Sequence, residues 1–253
     1  MVLSPNQKRE LLRQQDLFRK LSDQELADLV QAVQLRRVAA KDALCRKGDP
    51  GNQLYLIVNG VLKAQTTSRA GDDIVFSIMG SGEMFGELAL LRGGKRTAAV
   101  VAIRDAELIV IDRRDLFPFL RRHPDAALKL LEVLAQRVEN LSAKVEDKTF
   151  LNLPQRFAKC LFDLATRWGV KTAQGVRIEQ RLNQSELGDL VATSRESINK
   201  LIKSWRKEGV VAMADGYITI LDEKALKRIS EHEDRNLGRP AGSRPTRRAG
   251  GAG

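Results

Sequence analysis

The chain has 253 residues, 43% of them apolar, enough to fill two modest cores, and its 43 basic against 32 acidic residues give a formal charge of +11. Residues 235–253 hold five arginines and no acid, leaving 38 basic residues against 32 acidic, a balance that suits one local anionic partner surface rather than a protein coated in positive charge. No apolar run approaches the ~18 residues of a membrane helix, and Met1 to Gln15 is polar and charged rather than signal-like, so a cytoplasmic protein without membrane attachment is expected.

A charged stretch over 1–16 leads into Leu17-Phe18, and Ser22 with Glu25 has capping-box spacing ahead of a short helix over 23–33. From Leu35 to Asp112 the period becomes that of strands. Leu54–Val58 and Val61–Ala64 flank Asn59-Gly60, a dipeptide whose access to positive φ predicts a two-residue hairpin, and further strands are expected at Ile74–Met79, Ala98–Ile103 and Leu108–Ile111. Short punctuated strands of this kind predict an antiparallel barrel or roll over 17–124.

A long helix over 125–148 follows, in which Leu131, Leu134, Val138, Leu141 and Val145 recur at steps of three and four. A parallel dimer seam is the preferred reading, with a buried core helix as the alternative. The hinge belongs near 147–153, because Pro154 suits a first helical turn and the helix carrying Phe157, Leu161, Leu164 and Trp168 stops at Gly169. Residues 149–234 form a second domain, and the Gly-, Pro- and Arg-rich segment 235–253 is expected to be a disordered basic tail. Cys45 and Cys160 lack metal-ligand spacing and are expected as buried, reduced thiols; His123 and His232 are expected on the surface. Nothing here supplies a catalytic or metal constellation.

Within the second domain, Asn183 caps a helix whose third position is Glu186 and whose inward face is Leu187, Leu190 and Val191. Ser194 caps another, with Ile198, Leu201, Ile202 and Trp205 inward and Arg195, Glu196, Asn199 and Lys200 outward. Gly209 closes it, and Val210–Met213 with Tyr217–Leu221 around Asp215-Gly216 read as a hairpin wing. This is a helix-turn-helix pattern. Its outward set suits a major groove: Arg donates twice to guanine, Glu accepts from cytosine N4, Lys reaches guanine or phosphate, and Ser194 suits phosphate. The alternative is a solvated helix face with a Glu196–Lys200 pair one turn apart.

The stretches Gln184-Ser185-Glu186-Leu187-Gly188 and Thr193-Ser194-Arg195-Glu196-Ser197-Ile198-Asn199-Lys200 resemble the signature of the family of the cyclic AMP receptor protein and the fumarate and nitrate reduction regulator, a resemblance extending over about residues 17–222. It implies an α+β protein, an amino-terminal antiparallel β-roll joined by a dimerisation helix to a carboxy-terminal winged helix-turn-helix. It also implies that Arg195 and Glu196 read bases. Lys200 stands where the family often has a second Arg, and it lacks that planar fork.

Phe85-Gly86-Glu87-Leu88-Ala89-Leu90, followed by Arg96-Thr97-Ala98-Ala99, resembles the phosphate-binding cassette of cyclic-nucleotide domains. The chemistry fits independently: Arg96 would neutralise the single phosphate charge, Glu87 would accept from the ribose 2′-hydroxyl, and the N–H groups of Leu88 and Ala89 would add anion contacts. The alternative is that Glu87 and Arg96 pair with each other in a roll that has lost its ligand. The family's cyclic AMP responders often carry a hydroxyl pair on the central helix; here Leu141 and Ser142 stand there, and Ser142 would offer a hydroxyl across the dimer. Thr97 resembles the threonine of cyclic-GMP-selective domains, so cyclic AMP is favoured by base rate with cyclic GMP close behind. The implied partners are double-stranded DNA at a pseudo-palindromic operator, a second copy of the chain, the nucleotide effector, and RNA polymerase. The rival reading is a constitutive DNA-binding regulator whose roll is structural or senses another ligand. A kinase-type regulatory subunit would leave the helix-turn-helix unexplained, and redox or haem sensing lacks ligands.

Overall fold

The computed structural model describes residues 4–15, 17–19, 21–67 and 73–231, so His232 and the segment 235–253 lie outside the described residues. Helices α1 (Pro5–Arg13) and α2 (Asp23–Val30) each open on a complete capping box, Ser4 with Gln7 and Ser22 with Glu25. Each box satisfies backbone N–H groups that the first helical turn leaves without partners. Leu12 of α1 is fully buried with Leu17, Phe18 and Phe119, so the amino-terminal stretch shares the core beneath the sheet.

The sheet consists of β1 (Gln34–Val38), β2 (Ala43–Cys45), β3 (Gln53–Thr67), β4 (Asp73–Met79), β5 (Met84–Phe85) and β6 (Ala99–Asp112), all antiparallel. Its order is β1-β6-β3-β4, with β2 on β6 and β5 on β3; the short helix α3 (Glu87–Arg92) follows β5. Asn59-Gly60 does not turn the chain. β3 runs through it, paired with β6 from Gln53 opposite Asp112 to Gln65 opposite Ala99, and the two strands expected at Ala98–Ile103 and Leu108–Ile111 are one. Gly60 does take a positive φ, 101°, but within a bulge where the register slips on both sides of Asn59. Positive φ favours a bulge as much as a hairpin, and the long partner strand decides between them. A Cβ at position 60 would run into the Asp105 carbonyl and Ala106.

Helix α4 (Arg113–Arg122) meets α5 (Pro124–Phe150) at His123. This histidine is not a free surface residue: its ring lies against Phe119, with Nδ1 3.4 Å from Glu25 Oε1 and Nε2 3.3 Å from Asp28 Oδ2. The 27 residues of α5 make a rod of about 40 Å. Its stripe is not core, because Leu131, Val138, Leu141 and Val145 are all about 60% exposed or more.

The chain breaks at Leu151-Asn152, and α6 (Leu153–Trp168) restarts on an Asn152–Gln155 capping box with Pro154 in its first turn. Then come β7 (Gly169–Thr172), β8 (Gly175–Ile178), α7 (Gln184–Leu190), α8 (Arg195–Lys207), β9 (Val211–Ala214), β10 (Tyr217–Ile220) and α9 (Glu223–Glu231). The four strands pair as β7-β8-β10-β9, and the β7–β8 hairpin has no counterpart in the sequence reading. The wing turn is as expected: Asp215 and Gly216 both take positive φ, 51° and 79°. Phe157 stacks on Trp205 at 5.3 Å, and their core also takes in Val61, Val75 and Ile78 of the roll, so the second domain is packed onto the first.

Both cysteines are free, as expected, but half-buried rather than buried. Burial pushes the Cys160 thiol up to about 12, and it raises Cys45 against the opposing pull of Arg96, so both stay protonated near neutrality.

Gly60→Ala should cost about 2 kcal/mol or more of stability, since the new Cβ meets main chain at a left-handed φ; urea denaturation measures it, with Gly82→Ala, whose Cβ would meet open space, as the milder control.

Candidate functional site

The cassette is assembled where β5 hands over to α3. Gly86 caps α3 at φ 90°, and a Cβ there would lie 2.9 Å from the Gln53 carbonyl oxygen and collide with Arg96, so only glycine lets the chain turn here. Glu87, the first helical residue, is 2% exposed, and Arg96 is 6% exposed. Arg96 donates from Nη1 to Gly86 O at 3.0 Å and from Nη2 to Gln53 O at 2.8 Å, and its guanidinium lies over the Tyr55 ring at 5.0 Å. Tyr55 in turn stacks on Phe85 at 5.0 Å. Burial pushes the Tyr55 hydroxyl up, so it stays protonated and donates to Gln53 Oε1 at 2.8 Å.

Glu87 and Arg96 do not pair with each other. Glu87 is ion-paired instead with Arg137 of α5, whose guanidinium also donates to Met84 O. Glu87 Oε2 and Arg96 Nε are buried with no hydrogen-bond partner. Arg137 escaped the sequence reading because it belongs to no motif; its only signal was a lone cation beside the apolar stripe, five residues before Ser142. Of the other candidates, Ala89 is buried, Leu88 is half-exposed and Thr97 is exposed. Ser142 is exposed on α5, and among the described residues it has no hydrogen bond to the cassette.

In the second domain the outward residues fall as expected. Arg195, Glu196 and Lys200 are exposed on α8, and Asn199 is half-buried with its Oδ1 3.4 Å from Gln184 Nε2. The opposite face of α8 is fixed in the core by Ile198, Ile202 and Trp205. Asn183 and Ser194 serve as helix caps: Asn183 Oδ1 accepts from Glu186 N at 2.9 Å, and Ser194 Oγ accepts from Ser197 N at 3.2 Å. The Glu196–Lys200 ion pair of the alternative reading does not form. Among the described residues no cluster of His, Cys, Asp or Glu is suited to a metal, and no helix is long and apolar enough to cross a membrane.

A roll with a buried-charge cassette, carried by a long helix onto a winged helix-turn-helix, defines a transcription regulator built from a cyclic-nucleotide-binding domain and a DNA-binding domain. Residues 35–123 match the family model for the cyclic nucleotide-binding domain, and residues 155–229 match that for the Crp-like helix-turn-helix domain. The chain is 29% identical over 219 residues to the CRP-like cAMP-activated global transcriptional regulator of Mycobacterium tuberculosis, covering 87% of this chain and 98% of that one. It is also 29% identical over 214 residues to the cyclic AMP receptor protein of Thermus thermophilus, covering 85% and 96%. Among solved structures, the c-di-GMP-responsive global regulator CLP of Xanthomonas campestris shares the fold at a TM-score of 0.70 and 21% identity, over 79% of this chain and all of that one. A variant of CooA from Carboxydothermus hydrogenoformans shares it at 0.67 and 20%, over 79% and 88%. The chain belongs to the Crp/Fnr family of transcription regulators.

Removing the partner of a buried charge leaves it uncompensated. Arg137→Ala should therefore cost about 3 kcal/mol in chemical denaturation, with Arg137→Lys recovering part of that loss.

Proposed function

We propose that the protein is a homodimeric, cyclic-nucleotide-gated transcription regulator that binds a pseudo-palindromic operator, with cyclic AMP as the favoured effector and cyclic GMP the close alternative. The observation that carries this reading is the pair of buried, mutually unneutralised charges in the cassette, each with an unpartnered polar atom. Leaving such atoms unmet costs free energy, and a ligand that presents both a hydroxyl donor and an anionic phosphate answers both. In this assignment Arg96 takes the phosphate, Glu87 the ribose 2′-hydroxyl, and the main chain of Gly86, Leu88 and Ala89 lines the seat. Thr97 and Ser142 are exposed and free to meet the base, Ser142 from the partner protomer. The cAMP-activated relatives support cyclic AMP.

The exposed ridge Leu131, Val138, Leu141 and Val145 supports dimerisation, since a stripe of large apolar residues on a rod of this length calls for a second helix alongside. Two protomers paired through α5 would present two copies of α8, matching half-sites about 34 Å apart. Arg195, Glu196, Asn199 and Lys200 would read bases, Asn183 and Ser194 would lie against phosphates through their main chain, and RNA polymerase would be the downstream partner.

Isothermal titration calorimetry with cyclic AMP and cyclic GMP tests the reading. Binding of one nucleotide, lost in Arg96→Ala, is the expected result; absence of binding by either to the wild type sinks it. Leu141→Asp should convert the dimer to a monomer in sedimentation velocity and weaken operator binding at least tenfold. Arg195→Ala should lower specific affinity by about 1 to 3 kcal/mol per half-site while leaving non-specific binding nearly unchanged, measured by anisotropy on operator and scrambled DNA.

A further inference from the structure

The roll and the second domain meet along a seam bridged by several polar contacts, one of which joins the roll to the first helix of the helix-turn-helix. Lys63 on β3 reaches across to Glu186 on α7, Nζ to Oε1 at 3.2 Å, with both side chains at least four-fifths buried. Glu186 does two jobs there. Its Oε2 accepts the Asn183 N–H at 3.0 Å to close the α7 capping box, while Oε1 takes Lys63. This interdomain ion pair therefore also holds the residue that starts the first helix of the helix-turn-helix.

Other contacts flank it. Arg104 on β6 donates to Glu179 O, and Arg167 on α6 pairs with Glu83 and donates to Ile78 O at 2.9 Å. Trp168 covers Gly80 so closely that a Cβ there would lie 2.9 Å from its Nε1. Behind this seam Arg195, at the start of α8, lines the same cleft as Lys41, Lys63 and Arg181.

The strand that carries Lys63 also carries the seat of Arg96. Gln53 accepts from Arg96 and Tyr55 underlies it, and eight residues later, about 25 Å along β3, comes Lys63. Between the two lies the Asn59-Gly60 bulge, where the strand's register is set by its contact with β6.

We propose that Lys63 and Glu186 form a clasp through which β3 fixes the orientation of the helix-turn-helix, so that a change at the Arg96 seat reaches α7 along a single strand. The ligand-dependent half of this rests on the reading of the roll as a nucleotide receptor; the orientation half does not.

The experiment compares wild type, Lys63→Met, which keeps the apolar stem, and Lys63→Arg, which keeps the charge. Each is measured for operator affinity with and without cyclic AMP, and for amide exchange over residues 184–190 in the absence of DNA. Lys63→Met should exchange faster at α7 and change ligand-free operator affinity by about fivefold or more, with the ratio of liganded to ligand-free affinity falling to within about twofold of one. Lys63→Arg should track the wild type. Met and wild-type proteins alike in exchange and in ligand-free affinity would overturn the clasp, as would a shift shared by Lys63→Arg, which would make the residue's shape rather than its charge the cause. A change in operator affinity without a change in exchange would also overturn it, making Lys63 a direct DNA contact. If the wild type ignores cyclic AMP, the nucleotide reading falls and the clasp is judged on the ligand-free affinities and exchange alone.

Discussion

A carboxylate and a guanidinium buried in one roll, neither neutralising the other, constrain everything around them. Arg96 is held by two main-chain carbonyls, which is why Gly86 has to be glycine and why Gln53 must lie where β3 places it. Glu87 is held by a cation from outside the roll, Arg137, which is why α5 must run past the cassette. A buried charge is tolerable only when such partners are supplied, and supplying them fixes the geometry of three separate elements. The long helix is thereby tied to the cassette through Arg137, which pairs with Glu87 and donates to Met84 O.

The second domain rests on a simpler device, repeated. Capping boxes open α6 at Asn152 and α7 at Asn183, and Ser194 caps α8, so three of the domain's four described helices start at a capped residue. Fixed starts fix the rotational phase of the helices, and phase decides that Ile198, Ile202 and Trp205 face the core while Arg195, Glu196 and Lys200 face out.

One solved structure that shares this fold is described as c-di-GMP-responsive, while two relatives are described by cyclic AMP. The fold alone therefore does not choose the ligand; the lining does. Thr97 and Ser142 are both exposed on the isolated chain.

What could be read along the chain was whatever local chemistry determines by itself. The capping pairs Ser22–Glu25 and Asn183–Glu186, the Asp215-Gly216 wing and the inward face of α8 are all set by residues within a few positions of one another, and they stand where expected. The cassette and recognition motifs were legible for the same reason, each being contiguous. Tertiary structure decided the rest. Asn59-Gly60 became a bulge because a strand more than 40 residues away lies over it, and His123 was drawn between Glu25 and Asp28 because α2 packs there. Arg137 and Lys63 gained their partners across 50 and 123 residues of sequence. A lone charge carries no local signal of the opposite charge it will meet; only the folded chain brings the two together and strips away the water that would otherwise weaken the attraction between them.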